Sequence, residues 1–210
     1  MKSQAKFETE IKLVISREHK TISKTCDPGS LETLLLPDVL TKFFEEYSPK
    51  IFIAQKDDYF DHPAFKLRQN DLVLRKRQNI VFVRKKKLWL LQNHEEYLTY
   101  KGKSQVLDNA KSRFEIEARA NQEIFEILDQ LGFIAKCEIN KHRWISKAGD
   151  YTISLDVVEY LGIFLEVELM SEAQNQKDAF RKLAKFLQAH RLDVFERESR
   201  SYAELLCQDT

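Results

Sequence analysis

The sequence predicts an α+β fold, a closed antiparallel sheet of about eight strands rolled into a tunnel or barrel with helices around it. Apolar and polar residues, rich in Ile, Val, Phe and Tyr, alternate around residues 6–17, 50–60, 71–78, 80–91, 96–103, 111–119, 137–146, 151–158 and 162–170. The separators Gln78-Asn79, Gln92-Asn93-His94, Lys147-Ala148-Gly149-Asp150 and Glu159-Tyr160-Leu161-Gly162 are short and turn-like, so successive strands pair as hairpins. Helical periodicity is confined to a few segments, and a sheet of this size must curl, closure being the way to remove its edges.

The first strand carries the most informative pattern. In FETEIKLVI, Glu8, Glu10 and Lys12 share one face, while Thr9, Ile11 and Leu13 share the other. A face with two carboxylates and an ammonium is no ordinary core. Adjacent carboxylates repel unless a cation lies between them, and hard divalent ions take carboxylate and phosphate oxygens together.

Next, LETLLLPDVLTKFFEEY after Ser30 has helical spacing, and Pro37 kinks or restarts it. The strands that follow repeat the charged face: Arg75 with Arg77, Lys101 with Lys103, and Arg113 with Glu115 and Glu117. A second helix, NQEIFEILDQLGF, ends at Gly132. Lys141 with Arg143, Asp156, and Glu166 with Glu168 continue the pattern. A third helix, SEAQNQKDAFRKLAKFLQAHRL, follows Ser171, and a short last one, SRSYAELLC, begins near Ser199. Each charged pair alone fits a solvated strand face. Taken together, charged faces on most strands with aliphatic faces behind them converge on the interior of the closed sheet, where charges demand partners or ligands. A triphosphate with a divalent metal supplies both, with Arg75, Arg77, Lys101, Lys141 and Arg143 on the phosphates and the acids on the metal.

Composition bounds the alternatives. The 210 residues are consistent with one domain, and 34 Lys plus Arg against 33 Asp plus Glu give a net charge of +1, no sign of a general nucleic-acid or membrane binder. Five Gly and four Pro leave no low-complexity linker. Cys26, Cys137 and Cys207 are widely spaced, which argues against a disulfide framework or zinc site and for a reducing cytoplasm. No apolar stretch nears the roughly 20 residues that span a bilayer, and MKSQAKFETE lacks a signal's apolar core, so a soluble, cytoplasmic protein is expected. His62 before Pro63 reads as a turn residue, His142 points away from Lys141 and Arg143, and the basic run Arg84 to Lys87 reads as solvated. The absence of a Gly-rich phosphate loop argues against P-loop and Rossmann mechanisms.

The ordered motifs resemble the CYTH superfamily of triphosphate tunnel enzymes. They are Glu8-Thr-Glu10-Ile-Lys12, Leu74-Arg75-Lys-Arg77, Thr99-Tyr-Lys101-Gly102, Arg113-Phe-Glu115-Ile-Glu117, Leu131-Gly132-Phe133, Lys141-His-Arg143, Ile153-Ser-Leu-Asp156 and Leu161-Gly-Ile-Phe-Leu-Glu166-Val-Glu168. Asp58-Tyr59-Phe60-Asp61-His62-Pro63 and Ser199-Arg-Ser201-Tyr202-Ala-Glu-Leu205-Leu206 are similar to the class IV adenylyl cyclase branch. The stretch around Arg84 to Lys87 is longer than that branch's pattern. The resemblance implies an eight-stranded tunnel, ATP as substrate, Mg²⁺ or Mn²⁺ as cofactor, cyclic AMP and pyrophosphate as products, and a homodimer. Glu8, Glu10 and Glu166 then hold the metal, with Glu168 the weaker candidate. Lys12, Arg75, Arg77, Lys101, Lys141 and Arg143 hold phosphate, and Asp156 either orients a base or joins the metal shell. A triphosphatase would use the same residues with water as the nucleophile, and a binding module without turnover shares the same charge pattern.

Overall fold

The computed structural model describes residues 6–17, 26–64, 66–107, 110–172 and 176–207. The strands are β1 (Lys6–Ser16), β2 (Ile51–Asp61), β3 (Val73–Lys85), β4 (Leu88–Leu107), β5 (Ala110–Arg119), β6 (Ile134–Ala148), β7 (Tyr151–Val158), β8 (Gly162–Glu172) and the two-residue β9 (Glu196–Arg197). The helices are α1 (Asp38–Glu46), α2 (Lys66–Gln69), α3 (Gln122–Gln130), α4 (Gln176–Ala189) and α5 (Tyr202–Leu206).

The strand order is β5-β4-β3-β2-β6-β7-β8-β1, and β1 pairs back onto β5 from Phe7↔Phe114 to Ile11↔Ala110. Every pairing is antiparallel, and β9 adds only at Leu13 and Val14 of β1. The expected closed eight-stranded barrel is therefore present.

Its main hydrophobic core lies outside the barrel. Ile11 and Leu13 of β1, Ile153, Leu155 and Val157 of β7, and Leu165 and Val167 of β8 are buried against Leu40 and Phe43 of α1 and Phe180, Leu183 and Leu187 of α4. The α4 positions fall one or two turns apart on one stripe, which is what makes that helix dock. Leu183 and Leu187 are fully buried, each worth about 1.5–3 kcal/mol of apolar transfer. With the aliphatic positions of β1, β7 and β8 turned outward, the period-2 alternation sends Lys12, Asp156 and Glu166 inward.

Several local expectations are corrected. Gln78-Asn79 and Gln92-Asn93-His94 are not turns, because β3 and β4 run through them. Asn79 is held within the sheet by a hydrogen bond that the Gln55 side-chain amide donates to Asn79 Oδ1 at 2.7 Å, and Gln92 is absorbed as a bulge between the pairs Val81↔Asn93 and Phe82↔Leu91. The turn falls instead at Lys86-Lys87, where Lys86 takes φ +58°. The extra length around Arg84 to Lys87 is thus the tip of one long hairpin, and Lys85, Lys86 and Lys87 are exposed there. The first helical segment splits: Pro28–Thr33 is a 3-10 helix capped by Asp27, and α1 starts after Pro37. β8 continues through Ser171 to Glu172 and α4 starts at Gln176; residues 173–175, like 1–5, lie outside the described residues. Ser201, not Ser199, caps α5 in a reciprocal pair with Glu204.

Cys137 and Cys207, expected to be unpaired, form a disulfide. They are 70 residues apart, so spacing gives no sign that β6 and the end of α5 meet. Cys26 is a free thiol. No helix among the described residues is long and apolar enough to cross a membrane.

Candidate functional site

The inward faces enclose a cavity of about 230 Å³. Glu8, Glu10, Lys12, Arg75, Arg77, Lys101, Lys141, Arg143, Glu166 and Glu168 all line it. Asp156 is fully buried just behind the lining. The structure thus gathers side chains from six strands, and the register decides which charges meet.

Across the β1–β8 seam, Glu10 lies opposite Glu168 and Lys12 opposite Glu166. The consequence is a division of labour among the acids. Glu8, Glu10 and Glu168 place carboxylate oxygens within 4.8 Å of one another. Burial, with Glu8 nearby, pushes Glu168 up to about 8. Burial also raises Glu8 against the pull of Lys101, and burial with Glu166 raises Glu10. Burial and mutual repulsion disfavour charge on these three crowded acids, a cost that a divalent cation between them would relieve. Three carboxylates this close are the donor type that hard divalent ions take, so Glu8, Glu10 and Glu168 would be the residues to hold one.

Glu166 differs. It accepts from the Arg143 guanidinium and lies 3.4 Å from the Lys12 ammonium. Burial opposes its charge, yet Arg143 and Lys12 hold the carboxyl well below its ordinary range. Glu166, expected among the metal ligands, is therefore committed to two cations because register sets it against Lys12. Glu168, expected to be the weaker ligand, completes the acid triad.

Asp156 is bound from three sides. Arg143, its cross-strand partner, donates a fork at 2.6 and 2.5 Å, the Tyr202 hydroxyl donates at 2.9 Å, and the Lys141 ammonium lies at 3.5 Å. Of its two expected roles, this geometry fits orienting bases. Burial, then the Arg143 charge, pulls Lys141 down to about 8. The Tyr202 ring sits 4.3 Å from the Lys12 ammonium and 5.1 Å from that of Lys141. Lys12 also donates to the Arg200 carbonyl at 3.0 Å.

On the opposite wall, Arg77 forks onto Asp57 at 2.7 and 2.9 Å. Burial opposes the Asp57 charge, but Arg77 and Arg75 hold its carboxyl well below the usual range. Arg75 donates to Thr99 Oγ1 at 3.2 Å, and its buried Nε has no partner among the described residues. Lys101 bridges Glu8 at 3.0 Å and Glu115 at 3.1 Å.

Some lining residues escape a reading of the site from sequence. Lys111, ionically paired with Glu204 at 3.1 Å, lies two residues before Arg113 and extends the β5 alternation. Arg113 and Glu115 sit on a face whose charge the alternation marks without assigning either a task. Tyr202 gives no alternation signal, because it arrives from a helix. Lys103 leaves the expected face: the register shifts between Lys101 and Ser104, and Lys103 is exposed. His142 stacks on Phe52 at 5.9 Å, away from the cavity.

Comparison with known proteins agrees with this geometry. Residues 45–202 match the CYTH domain family. A Methanocaldococcus jannaschii protein, provisionally named an adenylate cyclase, is 27% identical over 201 residues, covering 95% of this chain and 98% of its own. A solved Pyrococcus horikoshii structure is 29% identical with TM-score 0.70, covering 96% of this chain and 98% of that one. A Hippeastrum protein, provisionally named an adenylyl cyclase and described as having a dominant triphosphatase activity, shares the fold at 16% identity and TM-score 0.59, with 94% of each chain covered. Carrying that family's domain over most of its length, and its closed barrel with a charged interior, the chain belongs to the CYTH family.

Proposed function

We propose that this protein is a metal-dependent adenylyl cyclase of the class IV type, converting ATP to cyclic AMP and pyrophosphate. The observation that carries the reading is the convergence of eight bases and six acids on one small cavity. Lys12, Arg75, Arg77, Lys101, Lys141 and Arg143 bind and orient the phosphate chain, with arginine forks giving direction and lysines point charge. Glu8, Glu10 and Glu168 would hold a divalent cation, Mg²⁺ or Mn²⁺, which would supply charge neutralisation at the phosphates and at the leaving pyrophosphate. Glu166 and Asp156, both paired with Arg143, fix the bases in place, and positioning supplies most of the rate. The ribose 3′-hydroxyl then attacks the α-phosphorus in line. The M. jannaschii relative's name and the class IV-like Ser199–Leu206 motif support ATP and cyclisation. A homodimer without nucleic acid or membrane is part of the proposal.

A second reading, hydrolysis of tripolyphosphate, thiamine triphosphate or a nucleoside triphosphate, has its own support. Among the described lining residues, only Tyr59, Val73, Ser201 and Tyr202 are uncharged, so the walls address phosphate far more than a purine. To decide, the protein is incubated with ATP and Mg²⁺ or Mn²⁺ and the products are resolved. Cyclic AMP with pyrophosphate supports the cyclase; orthophosphate as the main product, or tripolyphosphate consumed far faster than ATP, overturns it.

A further inference from the structure

The proposed reaction makes no use of the disulfide between Cys137 and Cys207, yet its position connects it to the cavity. Cys137 lies on β6 opposite Tyr59, a lining residue. Cys207 ends α5, its N–H bonded to the Ala203 carbonyl. A five-residue helix has little stability of its own and persists through its attachments. Those of α5 are the Ser201–Glu204 cap, the 3.1 Å Lys111–Glu204 pair, Arg68 donating to the Cys207 carbonyl at 2.9 Å, and a small apolar cluster in which buried Tyr202 packs with Val14, Ile139, Val158 and Phe164 while Ala203, Leu205 and Leu206, only partly buried, lie against it together with Cys137. Yet α5 delivers Tyr202, whose ring and hydroxyl meet Lys12, Lys141 and Asp156 at once. The disulfide ties the far end of this helix to the wall.

The bond is also reachable. Both cysteines are only partly buried, and they border a surface cavity of about 100 Å³ shared with Arg68 and Lys136. A disulfide that solvent reaches in part exchanges with external thiols more readily than one sealed in a core.

We propose that Cys137 and Cys207 form a thiol–disulfide switch that sets how firmly α5 closes the cavity, and hence its affinity for triphosphate. This rests on the reading of the cavity as a triphosphate site. In the off direction, a thiolate of an external dithiol attacks Cys207 Sγ and expels the Cys137 thiolate. The dithiol's second thiolate then resolves the mixed disulfide, releasing Cys207, and the reductant departs as its own disulfide. Two electrons have passed to the protein sulfurs, and the two protein thiolates take protons from the former dithiol by way of solvent. A disulfide oxidant runs the exchange in reverse. With the tether cut, α5 loosens, Tyr202 withdraws, and Lys12 and Lys141 lose the ring that holds them.

The test is calorimetric binding of inorganic tripolyphosphate, with Mg²⁺ present, to oxidised protein and to protein reduced with dithiothreitol. Reduction is expected to weaken binding about tenfold, the scale of breaking two partly buried cation–π interactions at once, and oxidised dithiothreitol to restore it. Cys207→Ser holds the weak value whatever the reductant, whereas Cys26→Ser keeps the wild-type response. Hydrogen exchange of residues 201–207 rises on reduction while that of β7 and β8 does not. Equal affinity and equal exchange in the two states, with thiol titration confirming reduction, overturns the switch. If oxidised protein fails to bind tripolyphosphate at all, the triphosphate reading falls, and the exchange measurement still decides whether the disulfide controls α5.

Discussion

Replacing Arg143 by methionine separates a structural ion network from a simple phosphate clamp. In the structure Arg143 spends its fork on Asp156 at 2.6 and 2.5 Å, donates to Glu166, and leaves Nη1 3.8 Å from Glu168. Asp156 is 0% and Glu166 5% exposed, so both rely on the guanidinium to offset the loss of water around them. Removing one partner of a buried pair costs about 3–5 kcal/mol. The loss should fall at the low end, about 3 kcal/mol, because Asp156 keeps Lys141 and Tyr202 while Glu166 keeps Lys12. In urea, with an m-value of about 2–3 kcal/mol/M, the unfolding midpoint of Arg143→Met drops by about 1–1.5 M at neutral pH. Adding Asp156→Asn should recover part of that loss, since it removes the charge left bare. A single variant within about 0.5 kcal/mol of wild type, with only weakened tripolyphosphate binding, would show that Arg143 serves the ligand alone and would refute the network.

Three further outcomes are expected. Mn²⁺ at about a hundred times its Kd should stabilise the wild type by about 2.7 kcal/mol in thermal unfolding, and Glu10→Gln should lose most of this while being no less stable without metal; an undiminished metal shift removes Glu10 from the site. Because the Lys141 ammonium is pulled from 10.5 to about 8, tripolyphosphate affinity should fall as pH rises through about 8, and Lys141→Met should flatten that slope. For stability the sign is opposite: between about 8 and 10.5 the unfolded chain holds a proton the folded one has lost, so Lys141's contribution improves with rising pH, and a wild-type urea series indistinguishable from Lys141→Met there would contradict it. Gly162→Ala should cost about 3 kcal/mol or more, since φ is +117° and an added Cβ would fall 2.1 Å from the Ser16 carbonyl; a normal melting temperature would mean that the β8 entry bends freely.

The period of two along β1, β6, β7 and β8 was legible because burial on one side forces it, and it located the charged interior. What lay beyond reach was pairing. Glu166 and Glu168 are equivalent in sequence, two apart on one face, and only the β1 register gives one to Lys12 and the other to Glu10. Asn79 and Gln92 carried turn propensity, but the long β3–β4 ladder overrode it and moved the turn to two lysines. Tyr202 and the Cys137–Cys207 link depend on the last helix folding back over the barrel, a non-local event that no local spacing encodes.

The interleaving of charge has a further consequence for how ligands arrive. All eight bases that line the cavity already pair with resident acids, Asp57 and Asp156 behind the lining among them. A polyanion alone must compete with resident carboxylates for the same guanidinium and ammonium groups, and a cation alone must draw acids such as Glu8 away from Lys101. Entering together, the two exchange places with the internal pairs, the cation with the acids and the polyanion with the bases. On the proposed reading, each would therefore raise the affinity for the other by the same factor, and the barrel would admit the pair more readily than either ion by itself.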